Sequence, residues 1–463
     1  MSGWGSPTPV TSAAPNDNAT TPPHVTTSGW GTPTPVTSSA PNDNATPSHH
    51  ESQANPPSDV LNEVQGEPPV DQVMQPADAP WVDPPPVPPP TNLQVDENSP
   101  TSFDQLFHGA DDVLYSNVME LGFPQPSDFE IVAIPAISSG RHFIGTAQSG
   151  QFKSTAMLLG VLQRLAAHPD LKACIVANTR LLAIEHCQYA TQYARNMNIR
   201  MAVVHGGVKG SAHHLMVDAI PEARLVFGTW GKLYDLAFPT NPAVEPAFNA
   251  EDYAIWVLEE ADATMEHDEK TNWLYGSLPR PHQLIYISGT ATDSQLARMG
   301  QHAPDAAVYI NHDTAAAAAA RHHHILRLAT TKGKDEWWVA LENEKLDFIR
   351  QLYASGDLPK ALLFCKTRES IERIAPRLLE MGVELQADPI HGKLSQGNNV
   401  FYYTRFKQTA QPNTIVVCSD ILHRGFHIRD LRFIVNFDMP MDWVAYYHRA
   451  CRAGRDDPNL RRG

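Results

Sequence analysis

The stretch Gly145-Thr-Ala-Gln-Ser-Gly-Gln-Phe-Lys-Ser-Thr155 decides how the rest of the chain is read. It follows a short apolar run, His142-Phe-Ile-Gly145, and leads into Ala156-Met-Leu-Leu-Gly-Val-Leu-Gln-Arg-Leu165, whose apolar residues recur at helical spacing. Strand, small-residue turn, Lys-Ser and helix is the order of a phosphate-binding loop. In such a loop the backbone N–H groups and the helix N-terminus cradle phosphate oxygens. The Lys reaches the terminal phosphates, and the hydroxyl meets a divalent cation. The full pattern needs Gly before the Lys, and this chain has Phe152 there. By itself the loop is therefore a weak and damaged signal.

On either side of the loop the composition divides the chain. Of 39 prolines, 22 lie in residues 1–100, a segment with eleven acids and no Lys or Arg. Seventeen acids precede Arg141, the first basic residue, which leaves 34 acids against 35 bases from there on. The formal charge of −16 thus belongs to the tail, and it does not exclude a nucleic-acid partner for the remainder. Residues 1–100 are poor in aliphatics and cannot bury enough surface to offset their ordering entropy, so a disordered acidic tail is expected there. Ser2–Thr20 recurs at Ser28–Thr46 with two differences, and Pro84–Pro90 reads as extended polyproline. No run approaches 18 apolar residues, so no membrane span is expected. Five scattered cysteines suit a reducing, cytoplasmic or nuclear setting and argue against a zinc site.

From about residue 101 to 311, β-rich apolar runs alternate with helical stretches: Lys172–Ala177, Met201–His205, Arg224–Gly228, Tyr253–Leu258 and Gln283–Ser288. A second series, with Ala361–Cys365, Thr414–Cys418 and Phe433–Phe437, follows a composition break at 312–334. Strands alternating with helices imply parallel sheets covered on both faces. Two such series imply an α/β chain of two tandem domains, 101–311 and 335–463, joined by a linker. His322–His324 lie in that linker and offer metal-ligand types, but adjacent side chains diverge on a strand, which favours a chance run over a metal site.

The acidic turn at the end of Ile255-Trp-Val-Leu-Glu-Glu-Ala-Asp262 gives the phosphate loop a counterpart. With it a longer resemblance appears. Glu259-Glu-Ala-Asp262 resembles the box that names the DEAD-box ATP-dependent RNA helicases, with Glu for the first Asp. The likeness runs in order through Gly122-Phe123, Pro126-Ser127, Ala133-Ile-Pro135, Ala177–Ala183, Gly206-Gly207, Gly228–Gly231 and Ser288-Gly-Thr290. It continues through Phe364–Arg368, His391-Gly392, Ser419–Gly425 and His448–Arg455. Within the family, Thr367–Ser370 and His302–Ala306 look nearest to the mRNA-export helicase, with the translation-initiation helicase the other candidate.

The resemblance implies two RecA-like domains, ATP and Mg²⁺ as cofactors, and single-stranded or short duplex RNA as substrate. It assigns Gln148, Ser149, Gly150, Gln151, Phe152, Lys153, Ser154, Glu130 and Asp420 to the nucleotide. Ser154, Glu259 and Asp262 would hold the metal and its waters. Glu260 would position the attacking water, with Arg452 and Arg455 as arginine fingers and His448 bridging to the acidic box or to Ser288. Ser288 and Thr290 would couple the domains. RNA would lie near Thr179, Arg180, Gly207, Thr229, Arg368, Arg424 and Gly425. A protein activator and a monomeric state are expected, and the chain stops before the closing elements the family carries, so the second domain reads as truncated.

Departures gather at the nucleotide. Phe152 replaces a Gly whose missing Cβ permits a left-handed backbone. Glu130 stands for a Gln that would pair with adenine, and as a carboxylate it only accepts. His427 replaces an Asp, Cys451 and Ala453 replace Gly and Thr, and Leu181 replaces an acid. A pseudo-helicase acting as an RNA-binding scaffold is the alternative this opens. A third reading rests on the Gly-Trp-Gly units at Trp4 and Trp30, which resemble hooks for Argonaute-type partners.

Overall fold

The computed structural model describes residues 91–311 and 337–453, except 108–111, 124, 149, 357, 386–388, 393, 395, 410–412, 423–427 and 429. The expectations for residues 1–90 of the tail, for Trp4 and Trp30, for the linker histidines and for Ser149, Arg424, Gly425, His427 and Arg455 lie outside these residues.

The first lobe is an eight-stranded sheet. Its strands are β1 (Thr91–Asn92), β2 (Phe143–Ala147), β3 (Ala173–Ala177), β4 (Met201–Val204), β5 (Leu225–Thr229), β6 (Ile255–Glu259), β7 (Gln283–Ser288) and β8 (Ala307–Asn311). They lie in the order β1-β8-β2-β7-β6-β3-β5-β4, every pairing parallel. A parallel ladder must be covered on both faces, which explains why β2, β3, β6 and β7 are mostly apolar and buried along their whole length. One apolar cluster, with Phe129, Phe143, Leu159 and Val257, fills one face, and another, built on Trp256, Tyr286 and Leu233, fills the other. The body starts earlier than the expected residue 101. Thr91 and Asn92 pair with Ala307 and Val308, because a two-residue strand without apolar periodicity still caps the exposed edge of β8.

Three helices of this lobe carry the site: α1 (Asp128–Ser138), α2 (Lys153–Ala167) and α3 (Arg180–Tyr193). Ser127 and Glu130 close a capping box at the start of α1, and Thr179 caps α3 by accepting from the Leu182 N–H at 3.2 Å. Each of α2 and α3 starts just beyond the C-terminal end of the strand that precedes it, β2 and β3 respectively.

The second lobe holds β9 (Ala361–Phe364), β10 (Ile415–Cys418) and β11 (Phe433–Asn436) as a parallel sheet in the order β10-β9-β11. Around it lie α4 (Trp337–Ala354), α5 (Arg368–Glu380), α6 (Gln396–Gln408) and α7 (Trp443–Ala450). Arg373 and Arg377 of α5 clamp Glu342 of α4 at 2.8 and 2.6 Å. Two RecA-like α/β lobes are thus present, the architecture the alternation predicts. The described residues of both lobes belong to one compact unit. Leu181 of α3 is buried with Leu362, Tyr403 and Phe406 of the second lobe.

Candidate nucleotide and RNA site

The sheet order brings the chemistry together. β2 lies next to β7, β7 next to β6, and β6 next to β3, so the phosphate loop, Ser288, the acidic box and Thr179 all emerge at one edge. Thr146 is in register with Ser288, and Glu259 with Ile287.

At the loop, Phe152 adopts φ 52° and ψ 31°, the left-handed conformation that the missing Gly would take freely. Lys153 folds back on the loop, donating to the carbonyls of Ala147 and Gln148 at 2.7 Å each. Ser154 donates from Oγ to Oε1 of Glu259 at 2.7 Å, which ties the first turn of α2 to the acidic box. The other oxygen of Glu259 accepts from Nε2 of His186 on α3. A carboxylate only accepts, so Nε2 carries the proton. Both residues are buried. Burial alone would raise the Glu259 pKa, but His186, then Ser154 and Lys153, hold it below the ordinary value. Burial would likewise lower the His186 pKa, and Glu259 outweighs it and raises it.

Glu260 follows at φ 49° and ψ 53°, a second non-glycine residue in the left-handed region at this edge. Asp262 is buried and doubly held, by Ser288 Oγ at 2.8 Å and Thr290 Oγ1 at 2.9 Å. Thr290 Oγ1 also lies 3.1 Å from Nε2 of His448 on α7, so a contact from the second lobe reaches a partner of the box.

Glu130 lies beneath the loop. Ser127 donates to its Oε2 from N–H and hydroxyl, both at 2.9 Å, and the same hydroxyl is 3.0 Å from the Gln151 carbonyl. Its Oε1 is buried without a hydrogen-bond partner among the described residues. Burial pushes its pKa up to about 7, against weaker lowering by Ser127. The fixed negative charge expected here is thus corrected: desolvation keeps a large share of this carboxyl neutral at neutral pH.

In the second lobe, Asp420 accepts from Nε and Nη2 of the fully buried Arg449 at 2.6 and 3.0 Å, while Nη1 of Arg449 reaches Asn436 and the Asp438 carbonyl. The carboxylate assigned to the nucleotide is therefore already held in a fork. Arg452 is buried, with Nε 3.2 Å from the His448 carbonyl. Among the residues assigned to RNA, Thr179, Arg180, Gly207 and Thr229 lie at or just beyond the C-terminal ends of β3, β4 and β5. Arg180 lies against Gly206, where an added Cβ would sit 3.1 Å from its guanidinium. Arg368 is paired with Glu372 on α5 at 2.6 Å.

The oxygen-rich set of Ser154, Glu259 and Asp262 suits a hard divalent cation, and each carboxylate is anchored by further protein donors. Among the described residues no three His, Cys, Asp or Glu converge as direct ligands.

Sequence reasoning missed His186 and Arg449. The signal for His186 was a polar residue on the buried Leu182–Ala190 stripe of α3. Arg449 lay unassigned within His448–Arg455.

A phosphate loop facing an acidic box on a parallel sheet, with a second parallel-sheet lobe against it, is the architecture of a two-lobed P-loop protein. The DEAD/DEAH box helicase family matches residues 128–299 and the helicase conserved C-terminal domain matches residues 344–457. The chain belongs to the DEAD-box helicase family. It is 26% identical over 348 residues to ATP-dependent RNA helicase DHH1 of Saccharomyces cerevisiae, covering 74% of this chain and 63% of that protein. It is 28% identical over 367 residues to the human probable ATP-dependent RNA helicase DDX47, covering 78% and 74%. Among solved structures, Saccharomyces cerevisiae Dbp5 bound to RNA and ADP BeF3 aligns with a TM-score of 0.62 at 21% identity, over 77% of this chain and 87% of that one. Mss116p bound to ssRNA and AMP-PNP aligns at 0.63 and 18% identity, over 80% and 75%. These two likenesses bear on the fold.

Proposed function

We propose that the protein is an RNA-stimulated ATPase that remodels short RNA duplexes or RNA–protein complexes. The observation that carries this reading is the continuous set of bonds from the phosphate loop to the acidic box, and from that box through Thr290 to His448 of the other lobe. Such a chain of contacts lets a group at the loop bias the approach of the lobes.

In this reading the γ-phosphate of ATP lies over the N-terminus of α2. Lys153 exchanges the Ala147 and Gln148 carbonyls for phosphate oxygens, and Glu260 orients a water and takes its proton as the water attacks phosphorus. The bond to the bridging oxygen breaks, giving ADP and phosphate, with Arg452 and Arg455 facing the developing charge. Magnesium, when bound, would screen the phosphates, with Ser154, Glu259 and Asp262 as its protein neighbours. RNA would run past Thr179, Arg180, Gly207 and Thr229, held by its phosphates without regard to sequence. Action as a monomer in the cytoplasm or nucleus, with a protein activator, completes the reading.

The test is phosphate release by the purified protein with and without RNA. RNA should stimulate release, and Glu260→Gln should lower it by about 10²–10⁴-fold while leaving ATP binding in place. A parent protein that binds RNA but neither binds nor hydrolyses ATP would overturn the proposal in favour of a scaffold.

A further inference from the structure

Helix α3 carries a buried side chain that the proposed chemistry does not use. His186 is 1% exposed, in helical register with Leu182 and Ala190, so its neighbours along the helix are core residues. Its Nε2 donates to Oε2 of Glu259, and its Nδ1 has no hydrogen-bond partner among the described residues. An imidazole with one orphaned nitrogen is a costly way to fill a core that Leu would fill without that penalty. A buried polar pair is also weak evidence of a stabilising role. The geometry offers another role. Glu259 has one more rotatable bond than an Asp would, and its two oxygens are divided between two elements. Oε1 accepts from Ser154 on α2, and Oε2 is drawn back to α3. Without the second anchor the carboxylate could turn about its last bonds, and the direction of Oε1 would no longer be fixed.

We infer that His186 is a positioning residue of the nucleotide site, holding Glu259 from behind so that Oε1 faces Ser154 and the phosphate loop. This rests on the reading of that loop as a nucleotide site. It makes α3, which begins at Thr179 and Arg180, a structural member of that site.

The test is titration of the full-length protein with fluorescently labelled ADP, in Mg²⁺ and in EDTA, for the parent, His186→Leu and His186→Gln, with thermal melts alongside. Removing an outer partner of a metal-facing carboxylate should weaken binding in Mg²⁺ about tenfold in His186→Leu and change it less than about twofold in EDTA. His186→Gln, whose amide nitrogen can occupy the place of Nε2 and donate, should recover most of the loss. If His186→Leu does not fold, His186→Asn takes its place, because its shorter amide falls short of Glu259. Equal affinity of variant and parent in Mg²⁺ would overturn the inference. So would a loss of the same size in EDTA that Gln does not rescue, which is the mark of a merely structural residue. A folded parent that binds no ADP in either buffer would overturn the proposed function together with the inference, whereas a binding parent with an indifferent variant overturns the inference alone.

Discussion

Phe152 shows how far one residue can be read from sequence. The absent Gly predicts a side chain forced into left-handed backbone, and φ 52° is that outcome. A non-glycine residue there costs about 1–2 kcal/mol. Phe152→Gly relieves this strain, but it gives up the partial burial of the ring and adds unfolded-state entropy worth about 0.4–1 kcal/mol. Its stability in urea should therefore change by less than about 1 kcal/mol, while ATP affinity rises as the loop N–H groups become accessible. Glu130 was less legible, because residue type fixes its hydrogen-bonding groups but not its protonation. Its ordinary value is 4.5 and its folded value about 7. Below the first, folded and unfolded chains both hold the proton. Between the two the unfolded chain releases it and the folded chain keeps it, so stability falls as pH rises through this window and levels off above it. The penalty at pH 8 is on the order of 3 kcal/mol. Glu130→Gln has no such proton, so its melting temperature should exceed the parent's by several degrees at pH 8 and by little at pH 5. Identical pH profiles for the two proteins would refute this account.

At the scale of elements, the strands were legible because burial on both faces demands unbroken apolar runs, as in Ala173–Ala177 and Ile255–Leu258. Sheet order was not legible, since β2 lies between β7 and β8, both more than a hundred residues away in the chain. That order is what brings Ser154 within 2.7 Å of Glu259 across 105 positions. Helix α3 shows the same limit. Its residues were legible by type, but the targets of Leu181, Glu185 and His186 depend on what packs against each face. Thr179 has two tasks here, as cap and as proposed RNA contact. Thr179→Ala should cost about 1 kcal/mol in urea denaturation through loss of the bond to the Leu182 N–H, and should also weaken RNA binding. Thr179→Ser keeps the hydroxyl and should preserve both.

For the whole molecule, the question is what holds the lobes together. One contact, Thr290 to His448, lies beside the acidic box and so is exposed to whatever occupies the nucleotide site. A second lies on α3, where the buried Glu185 receives Tyr403 at 3.0 Å and Lys407, and Lys407 also donates to Tyr189 at 2.8 Å. A cavity of about 510 Å³ opens beside this cluster, lined by Leu181, Gln188 and Thr404 among others. Burial would lower the Lys407 pKa, but Glu185 outweighs it and holds it above the ordinary value. The pair therefore couples closure to charge. Lys407→Met leaves Glu185 buried without its cation, a change worth about 3–5 kcal/mol when nothing compensates. The parent should bind RNA more tightly with a non-hydrolysable ATP analogue than without, because both ligands favour apposed lobes. In Lys407→Met that enhancement should fall by about tenfold, equivalent to about 1.4 kcal/mol of coupling. Adding Glu185→Leu removes the stranded charge together with its partner, so the double variant should regain part of the enhancement. If the double variant is instead as weak as the sum of the single ones, Glu185 and Lys407 act independently and the lobes are held chiefly by Leu181 and its apolar neighbours.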